Sequence, residues 1–508
     1  MESGHRPQEE DPGRESLEET GEPSGPPLIF RREDRDAGES PPAFADNGLP
    51  EDEGQGSIAQ TLSNLAATLE AEPPAPDDSG SSFFPRQPRT LAEVGLSKAF
   101  LTDLTLKIMH YSGTPSSAQL MRRLGLGQAL VQQILATIQE DRMCEVLSQS
   151  DLYTGNYRYR LSERGTARVS EALERTRYAG PVPVTVEQYA EVIRAQQAHR
   201  QTPSRDRIRM ILDELILTPE VADAVARALH SSKTTMFYGP SGNGKTIILE
   251  RFSRNLDGAG LVPYAIYAYG QVIRVFDPSI HEPVEEFDEH NAVKDDARLD
   301  RRWVLVRRPA VVLGSEIGPE SLDLTYDPQA RFYQAPPHVK AQGGVLVVDD
   351  LGRQRMEPQD LMTRWLIPVE RGWDSLSLIT GEKLTIPFDV QLLFGTNRPI
   401  DQLADDALLR RILYKIEIPS PGPTEFADIL RRLCSQHNVR TPEGAIERVV
   451  EWLYGQPNAS PRAAYARDLL QVVIEGAAYD GREPVLDEES SQQAFKLFMS
   501  QRSPDEAA

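Results

Sequence analysis

Apolar residues are unevenly spaced along this 508-residue chain, and the spacing changes character near position 96. Lys98–Tyr111 carries Phe100, Leu101, Leu104 and Ile108 at helical intervals, which predicts an amphipathic helix. Ser112-Gly113-Thr114-Pro115 breaks it, and Ser116 is placed to cap a short helix ending near Leu124-Gly125-Leu126-Gly127. Gln128–Arg142 repeats the helical pattern with Leu130, Ile134 and Ile138 on one face. Cys144–Ser148 and Tyr157–Leu161 predict two strands around a turn at Asp151–Asn156, with Tyr153 and Tyr157 beside it. Val184–Leu229 is helical connecting material. Beyond Lys233, short apolar runs alternate with helical stretches: Val262–Tyr269, Trp303–Arg307, Val345–Asp349, Val390–Phe394 and Tyr414–Ile418. That alternation predicts a largely parallel α/β sheet covered on both faces.

Before position 96 the picture differs. Residues 1–90 hold 20 Asp/Glu, 7 Lys/Arg and 13 prolines, a composition too polar to offset its ordering entropy, so a disordered acidic tail is expected. Ile58, Leu62, Leu65 and Leu69 recur at helical spacing within it, either as a transient helix or as a docking helix for a partner groove. The three helices and hairpin that follow resemble a winged helix. Its third helix is uncharged over Gln128–Gln139, although Gln132, Gln133 and Gln139 could meet a base edge. Lys98–Arg175 carries 10 basic and 8 acidic residues, so the electrostatic attraction that dominates DNA affinity is weak. Arg122, Arg123, Arg158, Arg160 and Arg164 could form a local patch, but protein docking is the expectation over DNA binding.

The two distant cysteines Cys144 and Cys434 and the lack of a long apolar run lead to the expectation of a cytoplasmic protein without membrane insertion, and the net charge of −22 is concentrated in the acidic tail.

Candidate chemistry enters with Gly239-Pro240-Ser241-Gly242-Asn243-Gly244-Lys245-Thr246, between the apolar run Met236-Phe237-Tyr238 and the helix-like Ile247–Phe252. G-x-x-x-x-G-K-T in a strand-to-helix context is a phosphate-binding loop, whose backbone N–H groups face a phosphate at a positive helix end. Lys245 is placed to reach the β- and γ-phosphates of a nucleotide, and Thr246 to ligate Mg²⁺. Downstream, Val345-Leu346-Val347-Val348-Asp349-Asp350 ends a buried strand in two carboxylates at the ligand-binding edge of an α/β sheet. Asp349 would orient Mg²⁺, and Asp350 would position or deprotonate the attacking water.

With these motifs, Leu392-Leu393-Phe394-Gly395-Thr396-Asn397, Leu408-Leu409-Arg410-Arg411-Ile412 and Ser460-Pro461-Arg462-Ala463 follow in order. The set resembles a AAA+ ATPase over roughly Lys233–Phe498. It is most similar to the MoxR-like branch, and to a narrower bacterial group of chaperone-like, pilus-associated ATPases. Ser375–Phe388 resembles the hairpin that precedes the polar sensor strand in that branch. The resemblance implies that Asn397 is the polar sensor, that Arg411 (Arg410 in reserve) reaches a neighbouring subunit's nucleotide, and that Arg462 is the lid's sensor arginine. One departure stands out: the family's Asp-Glu is Asp349-Asp350 here, a shorter carboxylate that points to slower hydrolysis.

The expected fold is α/β, a AAA+ P-loop core with a parallel sheet over 233–419 and a helical lid over 420–508. An α+β winged-helix-like domain at 89–180, a connector at 181–232 and a disordered tail at 1–88 precede it. The expected function is ATP hydrolysis with Mg²⁺ in a homo-oligomeric ring, expected to be hexameric, that remodels a protein client by rotating its lid. A nucleotide-gated scaffold with little turnover and an ATP-dependent DNA-binding regulator are the alternatives.

Overall fold

Five parallel strands form the central sheet of the computed structural model, in the spatial order Tyr414–Glu417, Thr235–Tyr238, Gln391–Thr396, Val345–Val348 and Ala310–Leu313. Val345 lies beside Gln391 and Ala310, and Thr235 beside Leu393 and Tyr414, so all five carboxyl ends share one edge. Side chains alternate between the faces. Leu346, Val348, Leu392 and Phe394 pack on Leu361 and Trp365 of the helix Pro358–Arg371. Val345, Val347 and Leu393 face Ile248, Leu249 and Phe252 of the helix Lys245–Arg254. Both faces are covered, which is why these strands read as unbroken apolar runs.

The structure describes residues 85–149, 157–200, 202–213, 215–284, 299–455 and 461–499. The acidic tail before residue 85 with its Ile58–Leu69 stripe, the turn carrying Tyr153, and Ser460 lie outside the described residues.

Two expected core strands lie elsewhere. Val262–Tyr269 is not one strand: it divides at Tyr264 into Ala259–Pro263 and Ala265–Ala268. Ala259–Pro263 pairs antiparallel with Trp303–Arg307, outside the central sheet. Ala265–Ala268 joins a second sheet, ordered Thr325–Asp327, Phe332–Gln334, Gln271–Arg274, Ala265–Ala268, Val184–Thr185. Tyr264 serves both: its N–H donates to the Arg302 carbonyl (3.0 Å) and its carbonyl accepts from Val275 N–H (3.1 Å). The place expected for those strands is taken by Ala310–Leu313, a four-residue edge strand behind Arg307-Arg308-Pro309.

The helices Lys98–Ser112, Ser117–Leu124 and Gln128–Glu140 precede the antiparallel hairpin Cys144–Gln149/Tyr157–Leu161, and a further helix, Glu163–Arg175, follows. Ser116 caps the second helix reciprocally with Gln119. The core of this module, with Leu101, Leu104 and Ile134, continues into Ala265 and Val272 of the second sheet.

The hairpin expected before the sensor strand forms as Trp373–Ser377 and Lys383–Pro387. At its base, buried His338 meets Asp374 (Nε2 to Oδ2, 2.8 Å) and accepts from Trp365 Nε1 at Nδ1 (3.3 Å). Arg364 donates to both Asp374 oxygens (2.7 and 2.9 Å) and to the Leu322 carbonyl (3.1 Å). The C-terminal region is helical, with Pro423–Gln436, Ala445–Tyr454, Ala463–Tyr479 and Glu488–Met499 around Phe426, Leu430, Leu469 and Leu486. Cys144 and Cys434 are free, and burial raises each thiol to about 11. Among the described residues, no helix is long and apolar enough to cross a membrane.

Candidate functional site

The phosphate loop leaves the strand Thr235–Tyr238 at Gly239 and enters the helix at Lys245. Gly239, Gly242 and Gly244 have φ of +131°, +83° and +92°, which side-chain-bearing residues rarely adopt. A Cβ on Gly239 would also stand 2.5 Å from the Ile418 carbonyl oxygen. Pro240, Ser241 and Thr246 are exposed, whereas Asn243 and Lys245 are buried. The Lys245 ammonium donates to the Gly239 and Pro240 carbonyls, 2.8 Å each. Burial holds it below the ordinary lysine range; Asp350 and Asp349 oppose that shift and Arg462 adds to it. Loop, sheet edge and lid therefore bring their charges to one place.

Asp349 is half-buried at the end of Val345–Val348, and its Oδ1 accepts from Asp350 N–H (3.0 Å). Gly395 makes room for it, because a Cβ there would lie 2.7 Å from both Asp349 Oδ1 and Leu249 Cδ1. Asp350 is exposed and left-handed, with φ +50°. Gln354 ties this turn down. Its Nε2, with two N–H donors shared among three acceptors, reaches the carbonyls of Asp349 (3.0 Å), Asp350 (3.3 Å) and Gly314 (3.3 Å), and its Oε1 accepts from Gly352 N–H (2.9 Å). A lone glutamine in a loop carries no sequence signal, and sequence reasoning missed it.

Asn397 follows the last residue of Gln391–Thr396, on the shared carboxyl edge, and is half-buried. The Thr396 hydroxyl donates to the Leu351 carbonyl (2.9 Å) and accepts from Arg398 N–H (3.1 Å), joining this turn to the Asp349-Asp350 turn. Arg462 immediately precedes the helix Ala463–Tyr479, and its side chain runs along Gly242. The lid is fastened to the loop directly. Ala464 N–H donates to the Gly242 carbonyl (2.8 Å), Ala463 N–H to Asn243 Oδ1 (3.2 Å), and Asn243 Nδ2 to Ser420 Oγ (3.3 Å).

Beside Asn243 opens a largely apolar pocket lined by Ile216, Leu217 and Val221 of the connector, Ile418 of the core and Ile429 of the lid. Sequence reasoning treated those connector residues only as helical packing. Their apolar character was visible, but not that the chain folds them over the loop.

Arg410 and Arg411 stand apart. Both are exposed and precede Tyr414–Glu417, at the amino end of a strand whose carboxyl end faces the loop. Arg411 is engaged by Glu370 (Nε to Oε2, 2.8 Å) and by the Ala407 carbonyl (3.0 Å). Among the described residues, no group of three His, Cys, Asp or Glu is arranged to hold a metal by itself.

Residues 422–497 match a family described as a domain of unknown function (DUF8689). No curated protein matches the sequence. Among solved structures, the chain is similar to the RuvB Holliday junction branch migration motor of Thermotoga maritima, at 13% identity over 56% of this chain and 71% of that one, TM-score 0.32. It is also similar to NtrX from Brucella abortus in complex with ATP, at 12% identity over 66% and 67%, TM-score 0.35.

Proposed function

We propose that this chain is an ATP-hydrolysing AAA+ protein that binds its nucleotide between core and lid. The observation that carries this reading is that the loop, the Asp349-Asp350 turn on the same sheet edge and the start of the helix Ala463–Tyr479 meet at one place, with Ala464 and Ala463 N–H bonded to Gly242 and Asn243 and Arg462 along Gly242. The phosphates would sit in the loop 239–246 against the helix N-terminus, with the base in the apolar pocket around Ile216, Leu217 and Ile418. Thr246 and Asp349 would hold Mg²⁺, which when bound neutralises charge on the β- and γ-oxygens. Lys245 exchanges its two loop carbonyls for phosphate oxygens. Asp350 takes the proton of the attacking water, Asn397 holds that water, and Arg462 binds phosphate from the lid.

Arg411 lies beyond its own site, since the strand Tyr414–Glu417 separates the two edges by on the order of 10 Å. In this reading it acts on a neighbouring subunit's nucleotide in a homo-oligomeric, hexameric ring, with Arg410 in reserve. The finer assignment is a MoxR-like, chaperone-like remodeller of protein clients in the cytoplasm, with the winged-helix-like module at 89–180 as a protein-docking platform.

Phosphate release from the purified chain tests the reading. Lys245→Ala should lose nucleotide binding. Arg411→Ala should bind ATP normally and hydrolyse it about 10³-fold more slowly, and parental activity should rise more steeply than protein concentration. A monomer with full activity at every concentration overturns the ring. A second reading, a nucleotide-gated scaffold with little turnover, draws support from Lys245 held by its own loop and Arg411 held by Glu370. ATP binding without phosphate release would select it.

A further inference from the structure

We propose that Gln354 is a positioning residue for Asp350, holding it in the backbone conformation from which its carboxylate meets the attacking water. The inference rests on the ATP-hydrolase reading and deepens it. Asp350 has φ +50°, a region that L residues enter only under constraint and that Asp and Asn tolerate best. The constraint is visible. The conformation of residue 350 is the relative orientation of the two peptide planes flanking its Cα, and the oxygens of both planes, Asp349 O and Asp350 O, accept from the same Gln354 Nε2.

The third carbonyl, Gly314 O, follows the edge strand Ala310–Leu313, so the clamp is anchored to the sheet rather than to the loop alone. Gly352 N–H on Gln354 Oε1 fixes which way the amide faces; the reversed amide would set an acceptor against three carbonyls. No other residue type of this length offers donors on one branch and an acceptor on the other.

The test uses the full chain with Gln354→Ala and the isosteric Gln354→Glu, which replaces the N–H donors with an acceptor. Both should lower kcat about 10- to 100-fold, the range expected for a carboxylate displaced by up to an ångström, with KM for ATP and the melting temperature nearly unchanged. In an Asp350→Asn background the same changes should add no further loss, because the clamp acts only through that carboxylate. Parental kcat in Gln354→Ala overturns the inference. So does an equal, additive loss in the Asp350→Asn background, or a fall in ATP affinity matching the fall in kcat. A parental chain that releases no phosphate defeats the hydrolase reading and this inference together, and that failure is seen before any residue is changed.

Discussion

Two polar clusters lie on the same α/β core, one buried and one open at the sheet edge, and they are built on opposite plans. At the hairpin base, His338, Asp374, Arg364 and Trp365 satisfy one another. Burial holds the imidazole below the ordinary histidine range, so it is neutral, donates from Nε2 to Asp374 and accepts from Trp365 at Nδ1. Despite burial, hydrogen bonds from His338 and Arg364 hold the Asp374 carboxyl well below the usual carboxylate range. At the carboxyl edge of the sheet the groups are held but not used up. Lys245 bonds only to its own loop, and neither the Asp350 carboxylate nor the Asn397 amide makes a hydrogen bond among the described residues. A polar cluster closed on itself fixes a fold, whereas one with spare donors and acceptors on a rigid frame is equipped to receive a ligand.

The contrast can be broken from the closed side first. Asp374→Ala leaves buried His338 and half-buried Arg364 without their shared partner and should cost about 3 kcal/mol in denaturant unfolding, with ATP affinity unchanged in the molecules that remain folded. A loss under 1 kcal/mol would mean the cluster is not the closed unit described. From the open side, Asp350→Asn should lower turnover by at least about 100-fold while leaving stability within about 0.5 kcal/mol. Turnover at the parental rate removes Asp350 as the base.

The smallest effect sharpens the comparison through pH. His338 and His281 are both buried, with pKa values lowered chiefly by burial. The unfolded chain takes up protons near pH 6.5 that the folded chain refuses, so their contribution is complete above that value and is lost as pH falls below it. Each should remove up to about 1.4 kcal/mol per pH unit, read as falling melting temperatures between pH 7.5 and 5.5. A flat profile across that window would show that the histidines are not held neutral.

The open cluster was the more legible in sequence, because phosphate loops and paired acids need particular residues at particular offsets. Ser116 as a helix cap was equally readable, since a cap is local chemistry, while its reciprocal partner Gln119 was not read. Ala310–Leu313 was hidden: four apolar residues behind Arg-Arg-Pro carry no periodicity, and only pairing with Val345–Val348 makes them a strand. Val262–Tyr269 misled for the converse reason. Its apolar run is continuous, while the chain changes sheets at Tyr264 through backbone bonds that any residue could make. Gln354 was illegible because its role lies in three carbonyls, which belong to backbone rather than to sequence.

The hydrogen bond from Ala464 to Gly242 has a mechanical meaning. It fastens the phosphate loop to the first turn of the 17-residue helix Ala463–Tyr479, a rod about 25 Å long. Pivoted at Ala463, a tilt of about 10° sweeps the far end through about 4 Å, given that length. At that end stands Tyr479, 93% exposed. A tilt of that helix about its first turn would displace Tyr479 more than any other residue of the rod, so a dye or crosslinker there is the most sensitive reporter of it.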